Sequence, residues 1–180
     1  LHLLLQMFPS FKSKLNIVSP DDLCERYGAD TLRLYEMFLG PLEQHKPWDT
    51  KGIEGTHRFL KKLWRLFTAN EISDEAPTKP ELKSLHKMIQ KMEDDLDRFS
   101  FNTPVSNFMI CCNELTDLKC NKREILESFA IIISPYAPHI IEELWKKLGH
   151  SESISNAKFP KFEASYLAEE NHSYPVSFNG

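Results

Sequence analysis

The clearest helical pattern in the chain is the stretch Arg58-Phe-Leu-Lys-Lys-Leu-Trp-Arg-Leu-Phe67. At about 100° per residue, its apolar side chains fall on one broad face of an α-helix. That face consists of Phe59, Leu60, Leu63, Trp64, Leu66 and Phe67. The basic side chains project from the opposite side, and they are Lys51, Arg58, Lys61, Lys62 and Arg65. The pattern predicts an amphipathic helix from about Thr50 to Ala69 whose apolar face packs against a core.

A second long helix is predicted after residue 77. Thr78-Lys-Pro-Glu81 has the form of a capping box, with Thr at the cap and Glu three residues later. Apolar residues then recur at alternating spacings of three and four, which is typical of helices packed antiparallel in a bundle. The residues expected to point inward are Leu82, Leu85, Ile89, Met92, Leu96 and Phe99.

Three more helices are predicted downstream, because prolines and capping residues separate further apolar segments. The first begins at Asn102-Thr-Pro104, the second spans Lys122 to Ile133, and the third runs from Pro138 to Leu148 before Gly149. Inward positions of the first are Val105, Phe108, Met109, Cys112 and Leu115. After His150, prolines interrupt every candidate helix, so residues 151–180 are expected to be an extended tail.

Two short helices are predicted upstream of the amphipathic helix. Ser19-Pro20 supplies a capping hydroxyl and a proline at the first helical position, and Gly28 ends that helix as a left-handed cap. A second helix runs from Asp30 to Phe38. The fold class predicted for the whole chain is mainly α, an antiparallel helical bundle with a short N-terminal connector and an extended C-terminal tail.

The composition excludes several classes of protein. The chain has 180 residues, 41% of them hydrophobic, with 20 aromatic residues, which argues against disorder. No apolar run approaches the roughly 20 residues that span a bilayer, so no membrane partner is expected. The four cysteines show no zinc-site spacing, and the adjacent Cys111-Cys112 pair suits core packing. Reduced thiols and a cytoplasmic location are therefore expected, with no metal and no cofactor held by this chain.

The charges are unevenly distributed, although the formal net charge is only −4. From Lys46 to Arg65 there are six Lys or Arg and two acids, a local net charge of +4. Such a stripe suits the neutralisation of nucleic-acid phosphates, although a solvated helix face has the same pattern. Glu93, Asp94, Asp95 and Asp97 form an acidic cluster that we expect to be solvated.

No self-sufficient active site is visible in the sequence. His139 lies at a predicted helix start, where a structural hydrogen-bonding role is expected rather than a catalytic one. A nucleophile elbow, a phosphate-binding Gly-Lys-Ser/Thr loop and a Gly-rich dinucleotide turn are all absent from the sequence. No residue of the chain is therefore predicted to be catalytic.

Three stretches carry a family resemblance. The first runs from Ser13-Lys-Leu-Asn16 through Tyr-Gly-Ala-Asp-Thr-Leu-Arg-Leu-Tyr-Glu to Pro41, and the second from Lys46-Pro-Trp-Asp-Thr-Lys-Gly-Ile-Glu-Gly to Arg65. The third, Ser134-Pro-Tyr-Ala-Pro-His-Ile-Ile-Glu-Glu-Leu-Trp145, is shared with isoleucyl, valyl and related enzymes. Together they resemble the C-terminal half of bacterial-type leucyl-tRNA synthetases, which are class I aminoacyl-tRNA synthetases.

The resemblance implies that the chain is a piece of a longer enzyme. The family's Lys-Met-Ser-Lys-Ser ATP signature would fall at residues 9–13, where only Lys12 and Ser13 match and Pro9 replaces the first lysine. The residues before Phe11 look foreign to the family. ATP and Mg²⁺ would be used by the parent enzyme, and the nucleotide-binding and editing domains are not in this sequence. The chain alone is thus expected to be inactive.

The resemblance also implies a division of labour along the chain. Residues 1–13 would be foreign sequence and the loop remnant, 14–47 a connector contacting the tRNA stem, 48–150 the anticodon-binding bundle, and 151–180 a linker and the start of a truncated domain. The expected partner is a leucine-accepting tRNA, held by its backbone, with the chain a monomer. The residues predicted to bind tRNA are Lys51, Arg58, Lys61, Lys62 and Arg65. Two alternatives stay open: an isoleucyl or valyl enzyme, and a helical protein-interaction module with a basic docking face.

Overall fold

The computed structural model of the protein describes residues 18–41, 44, 48–49 and 52–168. These residues form seven α-helices and two short 3₁₀-helices, and no strand is present among them. The α-helices are α1 (Pro20–Tyr27), α2 (Ala29–Phe38), α3 (Ile53–Thr68), α4 (Lys79–Asp97), α5 (Thr103–Asp117), α6 (Arg123–Ile133) and α7 (Pro138–Lys147). The 3₁₀-helices are Ile154–Asn156 and Ala164–Leu167. The prediction of a mainly α chain is confirmed.

Local capping residues begin the helices where the sequence predicts. The Ser19 hydroxyl accepts from the backbone N–H of Asp21, and the Glu81 carboxylate accepts from the backbone N–H of Thr78 at 2.7 Å. Gly28 does have a positive φ of 87°, but its ψ of 150° is not that of the left-handed cap we expected. Its extended ψ turns the chain directly from α1 into α2.

A single large core holds helices α3 to α7 together, with Leu34 of α2 included. Phe108 of α5, Phe129 of α6 and Leu63 of α3 are fully buried in it. Phe108 also meets the ring of Tyr136 edge to face, with 5.0 Å between ring centroids. The inward positions predicted for α5 are buried, apart from Met109, which packs partly against the core. Interdigitated side chains from five helices make this unit a helical bundle, as predicted.

Three predictions about α4 and the residues that follow it are wrong. Leu96, in the last turn of α4, and Phe99, beyond its end at Asp97, were expected to point inward, but their side chains are 39% and 76% exposed. Phe99 has a φ of 54°, so the chain has already left the helical path. Conversely, Asp95 of the acidic cluster is buried rather than solvated, and its carboxylate accepts from the Asn107 side chain at 3.4 Å.

Helices α1 and α2, which we call the connector helices, contribute to a small second core. Leu23, Leu32, Tyr35 and Ile53 are buried together, beside α3. Gly52 lies against the Tyr35 ring so closely that a Cβ atom would come within 2.6 Å of the Tyr35 hydroxyl oxygen. A side chain at position 52 would therefore displace that ring.

Asp30 joins the connector to the bundle. It was expected to start α2, but it lies inside the first turn, and its buried carboxylate reaches the N-terminus of α7. There it accepts from the backbone N–H groups of His139, at 3.3 Å, and Ile140, at 2.6 Å. The first backbone N–H groups of a helix lack partners within the helix, so Asp30 acts as a cap supplied from a distance.

Residues 151–168 return along the bundle as the covering segment. Their expected extended form is interrupted by the two 3₁₀-helices, and the second of these lies against α4. The backbone N–H of Glu163 donates to Nδ1 of the buried His86 at 3.1 Å. The Tyr166 ring lies 4.5 Å from the His86 ring, between centroids. These contacts attach the covering segment to the outer side of α4.

The helices within the described ranges are too short or too polar to cross a membrane.

Candidate nucleic-acid interface

The basic residues of α3 form a continuous outer face. Arg58, Lys61 and Arg65 are exposed and Lys62 is half-buried. Successive members are one or three residues apart, so they lie on adjacent turns and extend over about 10 Å of helix axis. The opposite face, which includes Leu63, is buried in the core. The amphipathic pattern predicted from the sequence is therefore present in the fold.

A groove runs between this face and the C-terminal end of α5, and we call it the basic groove. Its volume is about 490 Å³. Five of its ten lining residues are basic, and none of those ten is acidic. The basic residues are Arg58, Lys61, Lys62, Arg65 and Lys119. Cations concentrated in a concave site raise the local concentration of anions, so this groove favours a polyanion.

The cations of the basic groove are largely unneutralised. Arg58, Lys61 and Arg65 make no ion pair and no side-chain hydrogen bond with any residue that the structure describes. Lys62 differs, because its Nζ donates to Oδ1 of Asn113 at 2.6 Å, which fixes its position against α5. An amide oxygen carries no net charge, so the Lys62 ammonium keeps its charge for a ligand.

Lys119 is a basic-groove residue that the sequence did not indicate. It follows the end of α5 with a φ of 53°, and its backbone N–H donates to the carbonyl of Thr116 at 3.0 Å. This tight turn places an exposed lysine on the wall facing α3. A lone lysine after a helix has no distinctive pattern, so only the packing of α5 on α3 reveals it.

The residues predicted from the sequence to bind tRNA or ATP fall into two groups. Lys12, Ser13 and Lys51 lie outside the described residues, whereas Arg58, Lys61, Lys62 and Arg65 meet in the basic groove. His139 has its Nδ1 2.8 Å from the Asp30 carboxylate, which agrees with the structural role predicted for it. No cluster of His, Cys, Asp and Glu suited to a metal ion occurs in the described part of the chain.

The cysteines of the bundle are packing residues. Cys111 and Cys112 are buried, as predicted, and so is Cys120. Burial raises the pKa of Cys111 to about 12 and that of Cys112 to about 11. A thiol with such a pKa stays protonated at neutral pH, and the thiolate is the nucleophilic form. These side chains therefore supply no reactive group to the basic groove.

Comparison with known proteins identifies the family. The model of a family described as "Anticodon-binding domain of tRNA ligase" matches residues 81–178, which is more than half of the chain. The chain belongs to this anticodon-binding domain family. The matched region begins within α4 and includes α5 to α7, together with the covering segment.

Two relatives with high sequence identity to this chain are leucine–tRNA ligases. The enzyme of Christiangramia forsetii is 62% identical over 172 residues, which are 94% of this chain and 18% of that protein. The enzyme of Cytophaga hutchinsonii is 61% identical over 173 residues, 94% of this chain and 19% of that protein. The chain thus spans about a fifth of the length of these relatives. Their names support the resemblance to leucyl enzymes rather than to isoleucyl or valyl ones.

A solved structure has the same fold. It is described as a ternary complex of the Agrobacterium radiobacter K84 agnB2 LeuRS with tRNA and LeuAMS. The two folds agree with a TM-score of 0.75 at 23% sequence identity, over 89% of this chain and 23% of that one. This agreement in fold is consistent with the match of the chain to the anticodon-binding domain family.

Proposed function

We propose that this chain is the tRNA-holding part of a leucine–tRNA ligase, and that the basic groove binds the tRNA backbone. The observation that carries the proposal is the convergence of five cations from α3 and the end of α5 in one groove without a lining acid. Arg and Lys side chains are the usual partners of phosphate oxygens, and phosphate contacts fix the position of a nucleic acid without reading its sequence.

The proposal assigns the chain a positioning role. The parent enzyme would join leucine to tRNA at the expense of ATP, with Mg²⁺ and ATP bound by parts outside this chain. Because those outside parts would bind ATP and Mg²⁺, we propose that the chain alone binds leucine-accepting tRNA as a cytoplasmic monomer and does not activate leucine.

A salt series tests the role of the basic groove. We expect Arg58→Ala with Arg65→Ala to weaken tRNA binding at least about tenfold, because two charged hydrogen-bond donors are removed. The slope of log affinity against log salt should become shallower by about 0.7–0.9 for each lost phosphate contact. Fluorescence anisotropy with labelled tRNA measures both. Lys87→Ala with Lys91→Ala is the matched control, since both lysines are exposed on α4, outside the basic groove.

Three results would count against this proposal. Unchanged affinity and slope in the Arg58→Ala, Arg65→Ala variant would exclude the basic groove as the contact surface. Tighter binding of poly-glutamate than of tRNA at equal salt would favour the protein-docking alternative. A large loss of affinity on exchanging the anticodon would favour direct reading of bases, because backbone contacts carry no sequence information.

A further inference from the structure

A second groove lies on the other flank of α3, and we call it the aromatic groove. It is enclosed by α3, by the junction of α1 and α2, and by the N-terminal turn of α7, with a volume of about 420 Å³. This volume is within the range of about 300–1,000 Å³ that is usual for ligand pockets. The side chains that matter here are Tyr27, Asp30, His57, Lys61, Trp64 and His139.

Planar rings from two elements line the aromatic groove. Tyr27, at the end of α1, meets His57 of α3 edge to face, with 5.6 Å between ring centroids. Trp64, two turns further along α3, is half-buried beside them. One cation lies near each of two rings: Lys147 Nζ is 5.3 Å from the Trp64 centroid and Arg26 Cζ is 5.2 Å from the Tyr27 centroid. Flat π-surfaces in a partly open pocket suit a flat aromatic ligand, and each nucleobase offers such a face.

Lys61 makes the two grooves neighbours, because it lines both. A polynucleotide whose phosphates follow the basic groove would pass Lys61 at the boundary. A nucleotide at that point would have its phosphate beside the ammonium group and its base facing the aromatic groove. The continuity of the two surfaces therefore favours an RNA nucleotide over an unrelated small molecule.

Asp30 decides which part of the nucleotide enters the aromatic groove. Asp30 is 7% exposed, and its carboxylate is held by two backbone N–H groups of α7 and by His139. A phosphate placed deep in the groove would face this negative charge, whereas an uncharged base would not. The electrostatics thus place the base inside and the phosphate at Lys61.

We propose that the aromatic groove binds one unpaired nucleobase of the tRNA whose backbone lies in the basic groove. This inference rests on the proposed function, and it adds a site that recognises single-stranded rather than paired nucleotides. Proteins commonly bind unpaired RNA bases by stacking them on aromatic side chains. A fully paired duplex has no base to offer, so the two kinds of RNA should be distinguished.

The test compares tRNA with a blunt, fully paired RNA duplex. We expect Tyr27→Leu with His57→Leu to weaken tRNA binding by about fivefold or more, which is typical of losing one stacked base, and to leave duplex binding unchanged. The salt slope should stay at the wild-type value, because no phosphate contact is lost. Phe99→Leu, which removes a 76% exposed ring two residues after the end of α4, is the matched control.

The outcomes separate this inference from the proposed function. Wild-type affinity of the folded double variant for tRNA would overturn the aromatic groove and leave the basic groove standing. Equal losses on tRNA and duplex would also overturn it, since they indicate a general structural effect. Failure of the wild-type chain to bind either RNA would overturn both proposals.

A second measurement does not depend on the variants folding. Ultraviolet irradiation of the wild-type chain with tRNA forms crosslinks only where a base touches a side chain. We expect mass spectrometry to find them at Tyr27 or Trp64. Crosslinks found only at other positions would overturn the proposed base site.

Discussion

Helices α3 and α4 are both amphipathic and share one core, yet their outer faces differ. The outer face of α3 borders two open grooves and carries cations without ionic partners among the described residues. The outer side of α4 is contacted by the chain itself, through the hydrogen bond from Glu163 to His86 and the ring contact of Tyr166. The same kind of helix therefore has an open surface in one case and an intramolecular partner in the other.

This difference shows where an external partner has room to bind. Helical periodicity is satisfied equally by both helices, so amphipathicity alone does not separate a binding face from a covered one. On the α4 side, Phe162 and Tyr166 of the covering segment place their rings near His86. On the α3 side, Arg58 and Arg65 are exposed. The covering segment thus occupies part of the α4 surface, whereas the basic face of α3 stays exposed.

The largest loss of stability is expected from a substitution in the core that α3 and α4 share. Leu63 of α3 is fully buried, so Leu63→Ala should lower the free energy of unfolding by about 2–5 kcal/mol. Urea denaturation followed by far-ultraviolet circular dichroism measures this. Lys61→Ala, on the exposed face of the same helix, should change it by less than about 0.5 kcal/mol. Similar losses in both variants would show that the two faces of α3 do not differ in this way.

A smaller loss of stability is expected at Asp30, which lines the aromatic groove and caps α7. Asp30→Ala should cost about 1–3 kcal/mol, because two helix N–H groups lose their acceptor. Thermal unfolding is the measurement, and Asp22→Ala, an exposed acid in the first turn of α1, is the control. If Asp30→Ala were no more destabilising than this control, the hydrogen bonds from α7 to Asp30 would not contribute to stability.

The smallest effect is a pH dependence of stability that comes from His86 of α4, which the covering segment contacts. Burial lowers the pKa of His86 below its ordinary value, although the nearby carboxylates of Glu163 and Glu124 oppose the shift. As the pH falls, His86 therefore becomes protonated at a higher pH in the unfolded chain than in the folded chain. Stability should fall as pH drops below about 6.5, by at most about 1.4 kcal/mol per pH unit from this group, and should be independent of His86 at higher pH.

Unfolding free energies at pH 7.5, 6.5 and 5.5 test this dependence. His86→Gln should have a flatter profile than the wild-type chain, since its amide does not titrate in that range. Gln90→Ala, which replaces an exposed and non-titrating side chain of α4, should keep the wild-type slope. A wild-type slope in His86→Gln would mean that another group is responsible.

Most helix boundaries followed from the sequence because their causes are local. The Thr78–Glu81 capping box and the Ser19 cap are encoded within three residues, and the structure contains both. The four described cations predicted on α3 also came from periodicity alone. The error at Phe99 arises because the apolar spacing continues past Asp97, where α4 ends. Leu96 lies in the last turn before that end, and its side chain is 39% exposed.

The missing parts of the candidate sites depend on contacts between distant residues. Lys119 reaches the basic groove only because α5 packs on α3, and Asp30 finds its partners more than 100 residues away. The aromatic groove likewise needs Tyr27 and His57 from separate helices. A single sequence has no pattern that reports such pairings, so tertiary structure was needed to see them.

The cap at Asp30 also provides a spectroscopic reporter. The amide protons of His139 and Ile140 point at a carboxylate that belongs to the connector, so their exchange with deuterated solvent is slow only while connector and bundle are joined. Nuclear magnetic resonance signals from these two amides would therefore follow the docking of one part on the other. Adding RNA during such an experiment would reveal whether occupancy of α3 tightens or loosens that junction.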